Sequence, residues 1–324
     1  MMDTAHNKHN SNNNKSHNIL LNMIWWGLGV GFILGCTFNE VNGYDWYKLY
    51  YPMEQQVDPG RLFSPLWLYI VLKPLTFFSP QLGFFLFLLL NLGAIWLASK
   101  LTGASRWGML LAFPAFWVFW YGQIDGLVML GAALGYWAVK EKRGLWLGAA
   151  FMLLLVKPHI GGPIALFYFL SYPNWRSLIV CAGVVGVTLV FWGVDWPYNW
   201  LVKLFDIEQQ REFFSSQATN ISLYPYGLVA WLPVLLPLSF KDRALAVISA
   251  TFLSVPYAAV YSLLVLFAYP VPWPAYLIAS APYLLGPLGY PITSFVPILI
   301  LVFVVCRNRE GIFGNMFDTG GTEN

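Results

Sequence analysis

The amino-acid sequence predicts an all-α protein that crosses a membrane many times. Of its 324 residues, 58% are hydrophobic and only 10% are charged, whereas an ordinary soluble domain has about 25% charged residues. So few charges cannot cover the surface of a soluble protein of this length. The hydrophobic runs approach the roughly 20 residues of a membrane-spanning helix and do not show the alternation of a membrane β-strand. We therefore predict a polytopic transmembrane helical bundle of about ten spans.

The first 80 residues divide into a polar tail, a span and a less regular segment. Residues 1–18 are polar and of low complexity, which predicts a disordered cytoplasmic tail. The uncharged run at 19–38 is too long for the core of a signal peptide and is predicted to be the first span. Segment 63–78 is apolar but contains Lys73, Pro65 and Pro74, which indicates an interfacial or re-entrant segment in the first outer loop.

The rest of the chain supplies the other predicted spans. They lie at about 81–99, 106–121, 124–139, 144–156, 160–171, 177–193, 223–239 and 244–268, with one or two more within 272–305. At the carboxyl end we favour one crossing combined with a helix that is broken at prolines. The domains are therefore a tail at 1–18, a transmembrane domain at 19–305 and a cytoplasmic tail at 306–324.

Two of these spans are unusually short and flank Lys157-Pro158-His159. Segments 145–156 and 160–170 each fall below the roughly 20 residues needed to cross the hydrocarbon core. Either they form one interrupted span, or both are partial helices that face a cavity, because irregular backbone at membrane depth is tolerated only where it lines one. The predicted topology assumes the second arrangement.

The basic residues set the orientation. With the amino terminus in the cytoplasm, 12 of the 18 lysines and arginines fall on the cytoplasmic side, including the run KEKR at 140–143. This asymmetry agrees with the positive-inside rule. The net charge of +3 has no basic cluster behind it, so a nucleic-acid partner is not expected. Three widely spaced cysteines form neither a disulfide framework nor a zinc pattern.

In this topology four segments bring polar residues to the outer side: 39–61, 121–125, 157–159 and 194–222. Ionisable groups at membrane depth are costly and usually functional, and the convergence of four segments on one face favours one outward-facing polar cavity. Plainer interpretations stay open. Asp45 is also explained as a solvated loop acid, and Asp125 as a solvated acid or a helix cap. Lys157 is also explained as a residue that snorkels to the headgroups, and His159 as an ordinary interfacial residue.

Three stretches of the sequence resemble a known family. They are NGYDWYKLYYPMEQQVDPGRLFSPLWLYIVLKPLTFFSP at 42–80, YGQIDGLVMLGAALGYWAVKEKRGLWLGAAFMLLLVKPHI at 121–160 and ATNISLYPYGLVAWL at 218–232. In order and spacing they are similar to elements of the GT-C integral membrane glycosyltransferases. The likeness is greatest to the polyprenyl-phosphate-mannose-dependent α-mannosyltransferase-like family, glycosyltransferase family 87.

The resemblance implies a GT-C-like fold and an activity. Such an enzyme transfers a sugar, here mannose or another hexose, from a polyprenyl-phosphate donor to a lipid or glycan acceptor on the outer face, with inversion. It needs a carboxylate to take the acceptor proton and positive charge to stabilise the departing phosphate. The residues expected in these roles are Asp45 as the base, Lys157 with His159 or Arg61 at the donor phosphate, and Gln123, Asp125, Asn220 and Ser222 as substrate-binding residues. No metal or other cofactor is expected.

Two other functions remain open from the sequence alone. A polytopic chain with an outer polar cluster is also compatible with a transporter or with a non-catalytic subunit of a larger membrane complex. A transporter is expected to carry internal repeats and charges at mid-membrane, and the sequence shows no clear repeat. The chain is expected to be a multi-pass membrane protein surrounded by membrane lipids, with its amino terminus in the cytoplasm. If the source is bacterial, the expected location is the plasma membrane.

Overall fold

The computed structural model describes residues 3–39, 42–51, 64–204 and 219–309, with side chains from residue 18 onward. Within these ranges the chain is helical, and its extended pairing is limited to an isolated bridge between Asn220 and Ala259. The prediction of an all-α protein is therefore confirmed for the described residues.

Fifteen α-helices are present in the described ranges. They are α1 (Asp3–Thr37), α2 (Leu68–Thr76), α3 (Pro80–Thr102), α4 (Arg106–Leu111), α5 (Phe113–Tyr121), α6 (Asp125–Lys140), α7 (Gly144–Leu154), α8 (Pro158–Ser171), α9 (Trp175–Trp192), α10 (Trp196–Leu204), α11 (Phe240–Ser254), α12 (Trp273–Ala279), α13 (Ala281–Leu285), α14 (Tyr290–Thr293) and α15 (Phe295–Arg307). Helices of other geometry complete them: a π-helix at Trp46–Tyr50 and 3-10 helices at Tyr226–Leu235, Val260–Ala268 and Gly286–Gly289.

Three helices are long and apolar enough to cross a membrane by themselves: Asn18–Thr37, Pro80–Thr102 and Trp175–Trp192. A fourth crossing is obtained if Trp273–Thr293 and Phe295–Arg307, bent by 59°, are combined into one span. The predicted count of ten spans is not confirmed. The bend agrees with the helix broken at prolines that is favoured at the carboxyl end, and α1 also continues through the polar residues assigned to the tail.

Two predicted spans are interrupted in the structure. Segment 106–121 is divided at Ala112, which has extended backbone between α4 and α5. Segment 244–268, predicted as one span, ends its α-helix at Ser254 and resumes as a 3-10 helix at Val260. Pro256 lies in the gap, and proline cannot donate the backbone hydrogen bond that would continue the helix.

Helices α6, α7 and α8 pack against one another. Their relative directions decide between the two arrangements considered for the short spans. α8 begins beside the start of α6, where Lys157 contacts Asp125, and it ends beside the end of α6, where the Tyr172 hydroxyl donates to the carbonyl of Lys142 at 3.0 Å. α7 therefore runs opposite to both, and α7 and α8 form a hairpin of two partial helices. The 16 residues of α6 reach only about 24 Å, at 1.5 Å per residue.

This hairpin turns next to the start of α6, so residues from distant parts of the sequence meet at one end of the bundle. α6 also packs against α3 and against the 3-10 helix Val260–Ala268. The basic loop at 140–143 lies at the opposite end of α6.

Candidate active site

The segment that follows α1 is held against the turn between α5 and α6. The amide of Gly43 donates to the carbonyl of Trp120 at 2.8 Å. Gly43 has φ of +75°, a conformation in which a residue with a side chain is strained. Trp46 then inserts against Phe84 and Phe87 of α3 in stacked geometry, and its indole donates to the carbonyl of Pro80 at 3.0 Å. These contacts place Asp45 over the α5–α6 turn.

Asp45 meets Gln123 from that turn. The Gln123 side-chain amide donates a hydrogen bond to Oδ2 of Asp45. Asp45 is half-buried, and Gln123 is 6% exposed. Burial raises the pKa of Asp45 to about 6, although the charge of Lys157 and the Gln123 hydrogen bond both act to lower the pKa. A carboxylate with this pKa accepts protons near neutral pH, as a general base must.

Asp125 and Lys157 form an ion pair beside Asp45. Asp125 opens α6 and is fully buried, and the following amide of Gly126 donates to Oδ1 of Asn91 at 3.1 Å. Lys157 lies immediately before Pro158, at the start of α8, and its Nζ is 2.7 Å from Oδ2 of Asp125. The other oxygen of Asp125 has no hydrogen-bond partner in the described part of the chain. The start of α6 and the Lys157 ammonium both place positive charge beside the Asp125 carboxyl group.

The 3-10 helix Val260–Ala268 supplies the remaining contacts of Lys157. Nζ lies 4.5 Å from the centre of the Tyr261 ring, a cation–π distance, and 3.5 Å from Oγ of Ser262. Tyr257, in the gap before this helix, shares hydrogen bonds with Thr219 and Tyr261. The ammonium is thus enclosed on several sides, and the side chain of Lys157 is 12% exposed.

The other predicted site residues occupy different positions. The ring of His159 faces Tyr257 at 6.4 Å between ring centres, at the edge of the site. Arg61 lies outside the described residues. Asn220 and Ser222 are engaged with backbone: Asn220 accepts from the amide of Ala258 at 3.0 Å, and the Ser222 hydroxyl donates to the carbonyl of Val255. Their described contacts fix the segment between α11 and the 3-10 helix. A substrate-binding role for Asn220 and Ser222 stays a prediction.

Three residues of the site are not anticipated from the sequence: Tyr257, Tyr261 and Ser262. They lie within the apolar stretch 244–268, which is predicted as a single span. That prediction places their polar atoms inside the membrane. Pro256 is the available signal, because it predicts a break at this point. A polar or aromatic residue just after a proline break in an apolar run is a reasonable site candidate.

The described residues contain no group of three or more histidine, cysteine, aspartate or glutamate residues able to hold a metal ion. That the reaction needs no metal stays a prediction. What the described residues bring together is a carboxylate of raised pKa, an enclosed ammonium and several hydroxyl groups. This combination suits proton removal from a hydroxyl near a stabilised negative charge.

A protein-family model matches the part of the chain that contains most of this site. The model for glycosyltransferase family 87 matches residues 63–286, which include Gln123, Asp125, Lys157 and Ser262 but begin after Asp45. No curated protein and no solved structure matches the chain. The match covers well over half of the sequence, and the apolar helices agree with a membrane-embedded enzyme. The chain belongs to glycosyltransferase family 87, a family of GT-C-type membrane glycosyltransferases.

Proposed function

We propose that this glycosyltransferase moves a hexose, such as mannose, from a polyprenyl-phosphate donor to a hydroxyl of a lipid or glycan acceptor. The observation that carries the proposal is the convergence of Asp45, Gln123, Asp125 and Lys157 from three separate segments. The pair of charges has the signs that the reaction needs. A lipid donor also suits a site assembled at the ends of helices in a membrane-embedded bundle.

Asp45 is the proposed base. It follows the first span closely, it is half-buried, and its pKa of about 6 makes it ionised yet basic at neutral pH. The hydrogen bond from Gln123 fixes one carboxylate oxygen and leaves the other for the acceptor hydroxyl. Direct attack by the deprotonated acceptor on the anomeric carbon displaces the phosphate from the opposite face, so the configuration inverts.

Lys157 is the proposed phosphate ligand. As the acceptor oxygen bonds to the sugar, the bond between the anomeric carbon and the phosphate oxygen breaks, and the lipid phosphate leaves with the electron pair. A fixed ammonium stabilises this charge more effectively in a buried site than in water. In this proposal Gln123 and Asp125 position Asp45 and Lys157, whereas the family resemblance implied that they contact the substrate.

The reaction is proposed to occur on the outer face of a multi-pass membrane protein. α6 separates the site from the basic loop at 140–143 by about 24 Å along the helix axis. With that loop in the cytoplasm, as the positive-inside rule predicts, the site faces the opposite side. A polyprenyl-phosphate sugar presented on that side would serve as the donor in place of a nucleotide sugar.

The proposal is tested by offering the purified protein two radiolabelled donors, a polyprenyl-phosphate hexose and a nucleotide hexose, with a mixture of lipid acceptors. We expect label in the acceptor only from the lipid donor, and a product anomer opposite to that of the donor. Transfer from the nucleotide donor, or retention of configuration, would reject the proposed chemistry.

A further inference from the structure

The surroundings of Lys157 single out a second residue for the donor phosphate. Ser262 is 2% exposed, yet its hydroxyl oxygen has no hydrogen-bond partner other than Nζ of Lys157 within the described ranges. Several other helical hydroxyls in the described ranges donate to a carbonyl of their own helix, as Ser171, Thr251 and Thr293 do, whereas those of Ser249 and Ser262 do not. Ser262 departs from this local pattern, and its proton has no described acceptor.

The distance between the two groups fits a shared ligand better than a direct bond. Nζ and Oγ are 3.5 Å apart, longer than the 2.7–3.2 Å of a normal hydrogen bond. Two donors at this separation are each able to reach one oxygen placed about 2.8 Å from both. Lysine has three donors and serine has one, so an anionic oxygen is the group that satisfies both.

Two contacts of Lys157 are stronger than its contact with Ser262. Asp125 takes one N–H at 2.7 Å and the Tyr261 ring lies 4.5 Å away, and both are strong partners for an ammonium. The contact with Ser262 is the weakest of the three, so it is the one that an incoming anion displaces at least cost. Asp125 and Tyr261 then keep the ammonium in place.

We propose that Ser262 is a second ligand of the donor phosphate, with its hydroxyl and the Lys157 ammonium converging on one phosphate oxygen. This inference rests on the proposed function, because it assigns the ligand as the phosphate of the polyprenyl donor. It adds a residue on a different helix, so that donor binding joins the α7–α8 turn to the 3-10 helix Val260–Ala268.

The test compares Ser262→Ala with Ser249→Ala. Ser249 is also a buried serine on α11, its hydroxyl has no described partner, and it is not among the residues that Lys157 contacts. Binding of polyprenyl phosphate without sugar is measured in detergent, with inorganic phosphate in parallel. For Ser262→Ala we expect roughly tenfold weaker binding of the lipid phosphate, the lower end for a hydrogen bond to a charged group. Ser249→Ala should bind as the wild type does.

A second background separates this inference from the proposed function. In Asp125→Asn/Lys157→Met, which lacks the ammonium, Ser262→Ala should weaken binding further by less than in the wild type, because both groups serve the same oxygen. Equal binding of polyprenyl phosphate by Ser262→Ala and wild type would overturn the role of Ser262 and leave the proposed function standing. Wild-type protein that binds neither polyprenyl phosphate nor inorganic phosphate would instead reject the phosphate site as a whole, and preference for inorganic phosphate would reject the lipid donor.

Discussion

Lys157 has two roles that a single substitution does not separate. Its ammonium is proposed to bind phosphate, and it also neutralises Asp125, which is fully buried. Removing one partner of a buried ion pair leaves an uncompensated charge, which costs about 3–5 kcal/mol. Loss of activity in Lys157→Met is therefore expected from instability as well as from weaker donor binding.

A double substitution separates these roles. We expect Lys157→Met to lower the melting temperature of the purified protein, and Asp125→Asn/Lys157→Met to recover most of that loss because no charge stays buried. Binding of the donor lipid should remain weak in both variants. Donor binding that returns together with stability would show that the lysine serves the fold only.

Asp45 predicts an unusual coupling of pH, stability and function. Because the pKa of Asp45 is raised to about 6 in the folded protein, the folded state favours the protonated form. The stability associated with this group is full below the ordinary pKa of an aspartate, near 4, and is lost as the pH rises through about 6.

Asp45→Asn should consequently raise the melting temperature at pH 8 and leave it nearly unchanged at pH 4. Thermal unfolding in detergent at the two pH values checks this expectation, with wild type as the reference. A lower melting temperature for Asp45→Asn at pH 8 would mean that the ionised carboxylate stabilises the fold, and the raised pKa would be wrong.

At the scale of elements, docking of the loop at 42–51 on the α5–α6 turn depends on Gly43. A Cβ at Gly43 would lie 2.8 Å from the Phe84 ring and 2.9 Å from the Tyr47 ring, whereas Gly103, with the same φ of +75°, has no atom within 4 Å. Gly43→Ala and Gly103→Ala therefore share the backbone penalty of about 1–2 kcal/mol, and only the first disturbs the loop.

We expect Gly43→Ala to reduce kcat at least several-fold more than Gly103→Ala, because it moves Asp45 from the acceptor. Transfer assays on both variants, at matched monodispersity, provide the comparison. Equal kcat values would show that the position of this loop does not limit the reaction.

The elements differ in how far the sequence predicts them. Asp45, Gln123, Asp125 and Lys157 could be chosen because each stands at the end of an apolar run, where a polar or ionisable group is conspicuous. The short helices α7 and α8 are predictable because their apolar runs are shorter than a full span. The break between α11 and the 3-10 helix is not visible in the hydropathy, which continues through this segment, and Pro256 is its one signal in the sequence.

Pairing is equally hidden from the sequence. The spacing of Asp125 and Lys157 in the sequence does not show that they are in contact. Their contact requires that α6 and α8 run parallel, joined in the sequence by the antiparallel α7. Long-range packing sets such contacts, and a single sequence carries no covariation from which to infer it. The order of the motifs indicated the family, whereas the roles of Gln123 and Ser262 depend on the folded arrangement.

At the scale of the whole molecule, the orientation in the membrane is a prediction with a direct test. Lys48 is exposed next to the site, and Lys142 is exposed in the basic loop at the far end of α6. In a background with Cys36, Cys181 and Cys306 replaced, Lys48→Cys should react with an impermeant reagent from outside intact cells. Lys142→Cys should react only after the cells are opened, and labelling of both from the same side would contradict the topology.

The bundle as a whole is proposed to place Asp45 as the base of a glycosyl transfer. The most direct measurement is kcat/KM of Asp45→Asn with a polyprenyl-phosphate hexose at pH 7.5, for protein whose folding has been verified by its melting temperature. We expect a loss of at least about 100-fold, the usual contribution of a positioned acid–base group, with wild-type activity rising with pH through about 6. Wild-type activity in Asp45→Asn would contradict the assignment.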